Sequence, residues 1–240
     1  MTYLCRILFA TAVVVTPAIV GAQDDTAGWL AMVTTPYGSL VPGITPAILG
    51  TSDEAAVFGG DLEFRYGRLN DGATVLNSFG IGARIGNLGL VGVFQKCDGC
   101  GSRSLAGVDY DFVVARAGRV PGERSMSFVT AIRPGIGVGF VSGEGDAAVA
   151  LATTVDVPLS LSIPVGETAE LVPHIEPGVG HGLVIQDGQR DARVHGTIAF
   201  GVTLMNIWPG IGVNVGWRQI LLNRAAATWG AGLTMRRGGY

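Results

Sequence analysis

Between Val149 and Ile163 the side chains change character at almost every step. Val149, Leu151, Val155, Val157, Leu159, Leu161 and Ile163 share one side, with Thr153 the one polar group among them. Ala148, Ala150, Ala152, Thr154, Asp156, Ser160 and Ser162 share the other, together with Pro158. A strand turns its side chains over with period two, so this is a ribbon with one greasy face and one small, polar face that includes a carboxylate. About 9 to 11 tilted residues cross a bilayer core, and this ribbon is long enough to cross it and project beyond.

The same device recurs along most of the chain. Phe58, Leu62, Phe64 and Tyr66 oppose Asp61, Glu63 and Arg65, and Asn70-Asp71-Gly72 then turns the chain. Phe79, Ile81, Ala83 and Ile85 oppose Ser78, Gly80, Gly82 and Arg84. A two-residue Gly86-Asn87 turn pairs Ile85 with Leu88 and Phe79 with Phe94, which turns Val91, Val93 and Gln95 to the polar side of the third strand. Val108, Tyr110, Phe112 and Val114 then face away from Asp109 and Asp111. Met126, Phe128, Ile132, Ile136, Val138 and Phe140 face away from Ser127, Arg133 and three glycines. After the Val149 ribbon, the seventh strand sets Leu171, Ile175 and Val179 against Glu170, His174 and Glu176, and the eighth sets Val194, Ile198, Phe200, Val202 and Leu204 against Arg193, His195 and Thr197. The ninth opposes Ile211, Val213, Val215 and Trp217 to Asn214 and Arg218, and the tenth opposes Trp229, Leu233 and Met235 to Thr228, Thr234 and Arg236.

Composition decides which face is inward. The chain has 38 glycines and only 15% charged residues, too apolar a balance for an ordinary soluble domain. Its polar faces are glycine, alanine, serine and isolated charges, which cover a soluble surface poorly, while the apolar faces are bulky and nearly unbroken. The expected fold is all-β: a closed antiparallel transmembrane β-barrel of about ten strands, eight to twelve being compatible with the pattern, in an up-and-down meander with lipid outside and polar groups inside. A soluble barrel would reverse the faces.

The ends of the chain add an address. Arg6 precedes an apolar run from Ile7 to Val20, and Val20-Gly21-Ala22 offers small residues for cleavage before Gln23. Residues 1–22 therefore read as a secretory signal peptide, residues 23–57 as an irregular segment with Pro36, Pro42 and Pro46, and residues 58–240 as the barrel. If both barrel termini are periplasmic, the loops near Asn70, Cys97, Ser142, Gln186 and Leu222 are extracellular, and the turn at Asn206 to Pro209 is periplasmic. Trp208, Trp217, Trp229 and Tyr110 are candidates for interfacial girdles.

With its signal peptide, short alternating strands, glycine-rich polar faces and terminal Tyr240, the chain resembles the small outer-membrane β-barrel proteins of Gram-negative bacteria over roughly residues 58–240. That class commonly ends in an aromatic residue read by the barrel insertion machinery. Tyr240 matches in kind, although Arg236 to Gly239 separate it from the last alternating positions. The resemblance implies a cell outer membrane location, outer-membrane lipid and the insertion machinery as partners, and a structural, narrow-pore or surface-binding role.

Candidate chemistry is sparse. With the signal removed, Cys97 and Cys100 are the remaining cysteines, and in an exported protein their Cys-Asp-Gly-Cys spacing points to a loop-stapling disulfide, with free thiols or metal and redox work as the alternatives. His174, Glu176, His195 and Thr197 share an inward face, but a two-residue Asp187-Gly188 turn sets His195 opposite Gly180, roughly 20 Å along the sheet from His174. Gly135, Gly137 and Gly139 recur at period two inside a strand with no following helix, unlike a nucleotide loop.

The remaining signal is charge. Asp61, Glu63, Arg65, Arg84, Asp109, Asp111, Arg133, Asp156, Glu176, Arg193 and Arg218 all fall on the inner face, and a two-residue turn at Glu144-Gly145 sets Arg133 directly opposite Asp156. Both signs on one inner surface predict a paired network filling a narrow lumen. No cofactor, no nucleic-acid partner and no enzymatic constellation is expected, and the net charge of −3 carries no basic footprint. The alternatives are a membrane-embedded barrel enzyme acting on lipid or peptide, and a secreted soluble barrel that binds a small ligand.

Overall fold

The computed structural model describes residues 60–70, 75–97, 102–118, 125–142, 148–186, 188–221 and 226–237, and they form one closed antiparallel sheet. The strands are β1 (Gly60–Asn70), β2 (Val75–Ile85), β3 (Leu88–Cys97), β4 (Ser102–Tyr110), β5 (Phe112–Ala117) and β6 (Ser127–Ser142). They continue as β7 (Ala148–Asp156), β8 (Leu159–Val165), β9 (Ala169–Gln186), β10 (Gln189–Trp208), β11 (Ile211–Leu221) and β12 (Ala226–Arg237). With β4 and β5 counted as one stave and β7 and β8 as another, each stave pairs with its neighbours in the chain, and β12 closes on β1, Phe64 facing Leu233. The segments expected at residues 1–22 and 23–57, Cys100 and Tyr240 lie outside the described residues, as do the side chains of Asp61, Glu63, Arg65 and Cys97.

Twelve segments make ten staves, because two staves are interrupted without losing register. Pro158 has no N–H to give the ladder, so β7 stops at Asp156 and β8 resumes at Leu159. Its carbonyl still accepts from the amide of Ala131 at 3.2 Å, and Val157 donates to Pro177 O at 2.8 Å. The joint between β4 and β5 falls at Asp111, whose amide donates to Asn87 O at 2.9 Å. Beyond it a bulge between Val113 and Ala115 shifts the pairing with β6.

Register sets the width of the barrel. A circuit of paired residues that leaves β10 at Leu204 passes Val213, Leu233, Phe64, Ile81, Gly92, Ala106, Val138, Leu151 and Leu183, and returns to β10 at Ala192. A stagger of about twelve residues over ten strand spacings tilts the staves by about 40° and gives a backbone radius of roughly 10 Å. At that tilt the 10-residue β3 rises about 25 Å, the height of an apolar membrane belt.

The turns agree with the sequence at β2–β3, where Gly86 takes φ 58° and Ile85 faces Leu88, and at β9–β10, where Gln186 faces Gln189. The β10–β11 connection differs from the expected turn at Asn206 to Pro209. β10 runs on to Trp208, Asn206 adopts φ 56° in a bulge, and the chain reverses at Pro209-Gly210. A proline followed by a glycine free to take φ 73° makes the tighter turn.

Candidate functional site

The outer surface is the greasy one. Phe79, Ile81, Ile136, Phe140 and Val179 are each more than half exposed, while Arg133, Asp156, Glu176 and Arg218 are buried. The solvent-like medium therefore meets the apolar face, and the charges are inside. The fold is that of a membrane β-barrel.

Inside the barrel, three layers succeed one another along the axis. Val129, Ala131, Val172 and Met205 pack together with Val113 toward the end that holds the Gly86 and Gly210 turns. Val91, Val93 and Leu105 form a second apolar cluster toward the other end. The charges lie between them, since along β6 the inward row passes from Val129 and Ala131 to Arg133 and on to Gly139, which faces Leu105.

The charged layer is a chain of alternating sign. Arg84 donates through Nη2 to Asp109 Oδ1 at 2.6 Å and through Nη1 to Asp111 Oδ2 at 2.7 Å. Arg133 grips Asp111 from the other side as a fork, Nε to Oδ1 at 2.7 Å and Nη2 to Oδ2 at 3.3 Å. Its Nη1 lies 3.5 Å from both oxygens of Glu176, which also accepts from Arg218 Nη2 at 3.0 Å. The run Asp109, Arg84, Asp111, Arg133, Glu176, Arg218 thus crosses the lumen from β2 to β11 and is neutral in sum. With a backbone radius of roughly 10 Å, inward arginine side chains extend most of the way to the axis, so this layer narrows the bore.

Glycines make room for this layer. Gly89 sits between Arg84 and Asp109 in the ladder, and a Cβ there would come within 2.5 Å of Asp109 Oδ1 and 2.8 Å of Arg84 Nη2. Gly178 plays the same part beneath the Asp156 carboxylate, where a Cβ would collide with Oδ1. The polar faces are glycine-rich because the neighbouring strand's long side chains lie across them.

The expected residues are not all in one contact set. Arg133 and Asp156 do stand directly opposite across β6 and β7, as the Glu144-Gly145 turn predicted. Arg133 nevertheless places its fork on Asp111, and Asp156 accepts from Thr197 Oγ1 at 3.4 Å. The reason is the other ladder: Asp111 occupies the break between β4 and β5 and is the neighbour of Arg133 on that side. Arg193 pairs with Asp191 on its own strand at 2.6 Å, some 20 Å along β10 from the residues beside Glu176. His174 faces Gly201 and His195 faces Gly180, so the two imidazoles occupy separate levels.

Several buried contacts went unread in the sequence. Gln95 donates to Ser78 Oγ at 3.0 Å, Asn214 to Thr234 Oγ1 at 3.1 Å, and Ser162 to Glu170 at 3.2 Å. The inward parity of each was visible, but cross-strand register was needed to make them partners. Trp217 and Trp229 face each other on the outside, with Phe200 stacked on Trp217 at 5.8 Å. Trp208 and Tyr110 lie toward the opposite end, Tyr110 against Phe112 at 4.8 Å.

Comparison with known proteins places the barrel among structures and not among sequences. No protein-family model matches the chain and no curated protein matches it. Among solved structures it is similar to Ail, the attachment invasion locus protein of Yersinia pestis, at 15% identity over 75% of this chain and 97% of that one, with a TM-score of 0.37. It is also similar to the β domain of the Bordetella autotransporter BrkA, at 13% identity over 74% and 99%, TM-score 0.43. A third is the outer membrane enzyme PagL, at 12% identity over 73% and 98%, TM-score 0.35.

Proposed function

We propose that this protein is exported, inserted into the outer membrane by the barrel insertion machinery, and serves there as a closed barrel with a structural or surface-binding role. The observation that carries the reading is the lumen: an ion-paired layer from Arg84 to Arg218 between two apolar clusters, inside a barrel wrapped in a greasy belt. Ions crossing such a lumen would have to displace paired charges and then traverse Val, Leu and Met side chains, which opposes conduction. The same pairing speaks against a barrel enzyme. Asp111 and Glu176 are each held by two guanidiniums, which keeps them as ion-pair partners and not as the proton carriers a hydrolase needs.

Fractionation of cells producing the full chain tests the location, with recovery in the outer-membrane fraction and heat-modifiable gel migration expected. Planar-bilayer recording of the purified protein tests the closed lumen. Large, stable, porin-like conductance of the wild type would overturn the reading.

A further inference from the structure

The outer face of β1 to β4 departs from plain grease in an ordered way. Near the end that carries the Gln186 to Gln189 turn, Arg68, Asn77, Lys96 and Ser102 are consecutive partners across four strands. Their parity puts them outside, and Arg68 and Lys96 are exposed. Arg68 lies two residues from the end of β1 and Lys96 one residue from the end of β3, so this row sits at the boundary of the apolar belt. One step further into the belt comes an aromatic row, Tyr66, Phe79 and Phe94, with Phe79 and Phe94 about half exposed. Tyr66 packs on Phe79 at 5.4 Å and donates its hydroxyl to Asn77 Oδ1 at 2.9 Å, which leaves the Asn77 amide nitrogen to meet an acceptor beside the two cations.

Beneath the aromatic row the wall is hollow. Ile81, Gly92 and Ala106 are partners there, and a Cβ on Gly92 would meet nothing within 4 Å. A groove of about 660 Å³ opens at this point between Phe64, Phe79 and Phe94, and its walls are almost wholly apolar. Charge is partitioned in the same sense. Among strand residues whose side chains are described, the carboxylates face the lumen, and the outward charges are Arg68, Lys96 and Arg190, all basic.

We propose that this face binds a phosphate-bearing membrane lipid, with an acyl chain in the Gly92 groove and the phosphate held between Arg68 and Lys96. The occupant follows from the surroundings. In the belt the medium is acyl chain, so a depression there fills with one, and two cations with an amide donor at the belt's edge match an anionic headgroup. Arg68 and Lys96 stand on strands two apart, about 10 Å between backbones, so both side chains converge on one phosphate. The tyrosine and phenylalanine rings between groove and cations occupy the level where headgroup meets chain.

The proposal rests on the membrane-barrel reading, and the test separates the two. Full-length protein is reconstituted in vesicles of phosphatidylcholine with a minor share of phosphatidylglycerol and floated on a density gradient. The barrel is then released in mild detergent and its retained lipid identified by native mass spectrometry. Failure to float would overturn the membrane reading and this site with it. For a barrel that floats, wild type should retain phosphatidylglycerol over phosphatidylcholine, with about a fivefold loss of that preference in Arg68→Gln and again in Lys96→Gln. Gly92→Leu should fill the groove and lower retention of both lipids, while Arg116→Gln, near the other end, should change neither. A wild type with no headgroup preference, or an unchanged preference in the doubly substituted protein, would overturn the site. Complete displacement by inorganic phosphate would overturn the acyl-chain half of it. If the arginine and lysine variants do not fold, the wild-type preference and Gly92→Leu decide.

Discussion

Replacing Arg133 by alanine removes the central link of the charged layer. Its side chain is 10% exposed, and its partners Asp111 and Glu176 are 0% and 2% exposed, so water does not take over from the lost guanidinium. Deleting one member of a buried ion pair typically costs about 3 to 5 kcal/mol, mostly from leaving the other charge without its counterion. Here Asp111 keeps Arg84 at 2.7 Å and Glu176 keeps Arg218 at 3.0 Å, which puts the expected loss at the lower end, about 3 kcal/mol. Urea unfolding of the refolded barrel in detergent, followed by tryptophan emission and by the heat-modifiable gel shift, reads this loss as a lower midpoint. Arg133→Lys should fall between, because it keeps the charge and loses the fork on Asp111. The double variant Arg133→Ala with Asp111→Ala should lose less than the sum of the single losses by about 1 to 3 kcal/mol. In planar bilayers the wild type should conduct little, and Arg133→Ala should conduct more. Stability within about 0.5 kcal/mol of wild type, with unchanged conductance, would refute the idea that this layer closes and braces the lumen.

Two glycines in one strand should behave oppositely. Gly89→Ala forces the Arg84–Asp109 pair to move and should cost about 1 to 3 kcal/mol in the same urea assay, whereas Gly92→Ala, with nothing within 4 Å, should stay within about 0.5 kcal/mol of wild type. Ile136→Arg, which puts a charge on a residue 56% exposed in the apolar belt, should cost about 2 to 4 kcal/mol in folding into lipid vesicles, while a loss near zero would contradict the lipid-facing assignment. Cys97 and Cys100 are expected to form a disulfide in the exported protein, so alkylation without reductant, read by mass spectrometry, should modify neither; modification of both would reject the bridge.

Period-two alternation was enough to give about ten staves, their inward and outward faces, and the Gly86-Asn87 turn that settled the ambiguous strand from Leu88 to Gln95, because side-chain parity is a local property of the chain; the count of ten came from the paired strands. The same parity placed Arg84, Asp109, Asp111, Arg133, Asp156, Glu176 and Arg218 inside. Which charge holds which is not local. Arg133 has an acid on each side, Asp111 across one ladder and Asp156 across the other, and the choice of Asp111 depends on the joint between β4 and β5, which lets that aspartate hydrogen-bond Asn87 and receive two guanidiniums at once. The bulge before Trp208 was likewise beyond local reading, since a two-residue slip against β11 exists only once the strands are paired. The outer row of Arg68, Asn77 and Lys96 is the plainest case. Its members are far apart in sequence and unremarkable one by one, and only the register of β1, β2 and β3 lines them up above the Gly92 groove.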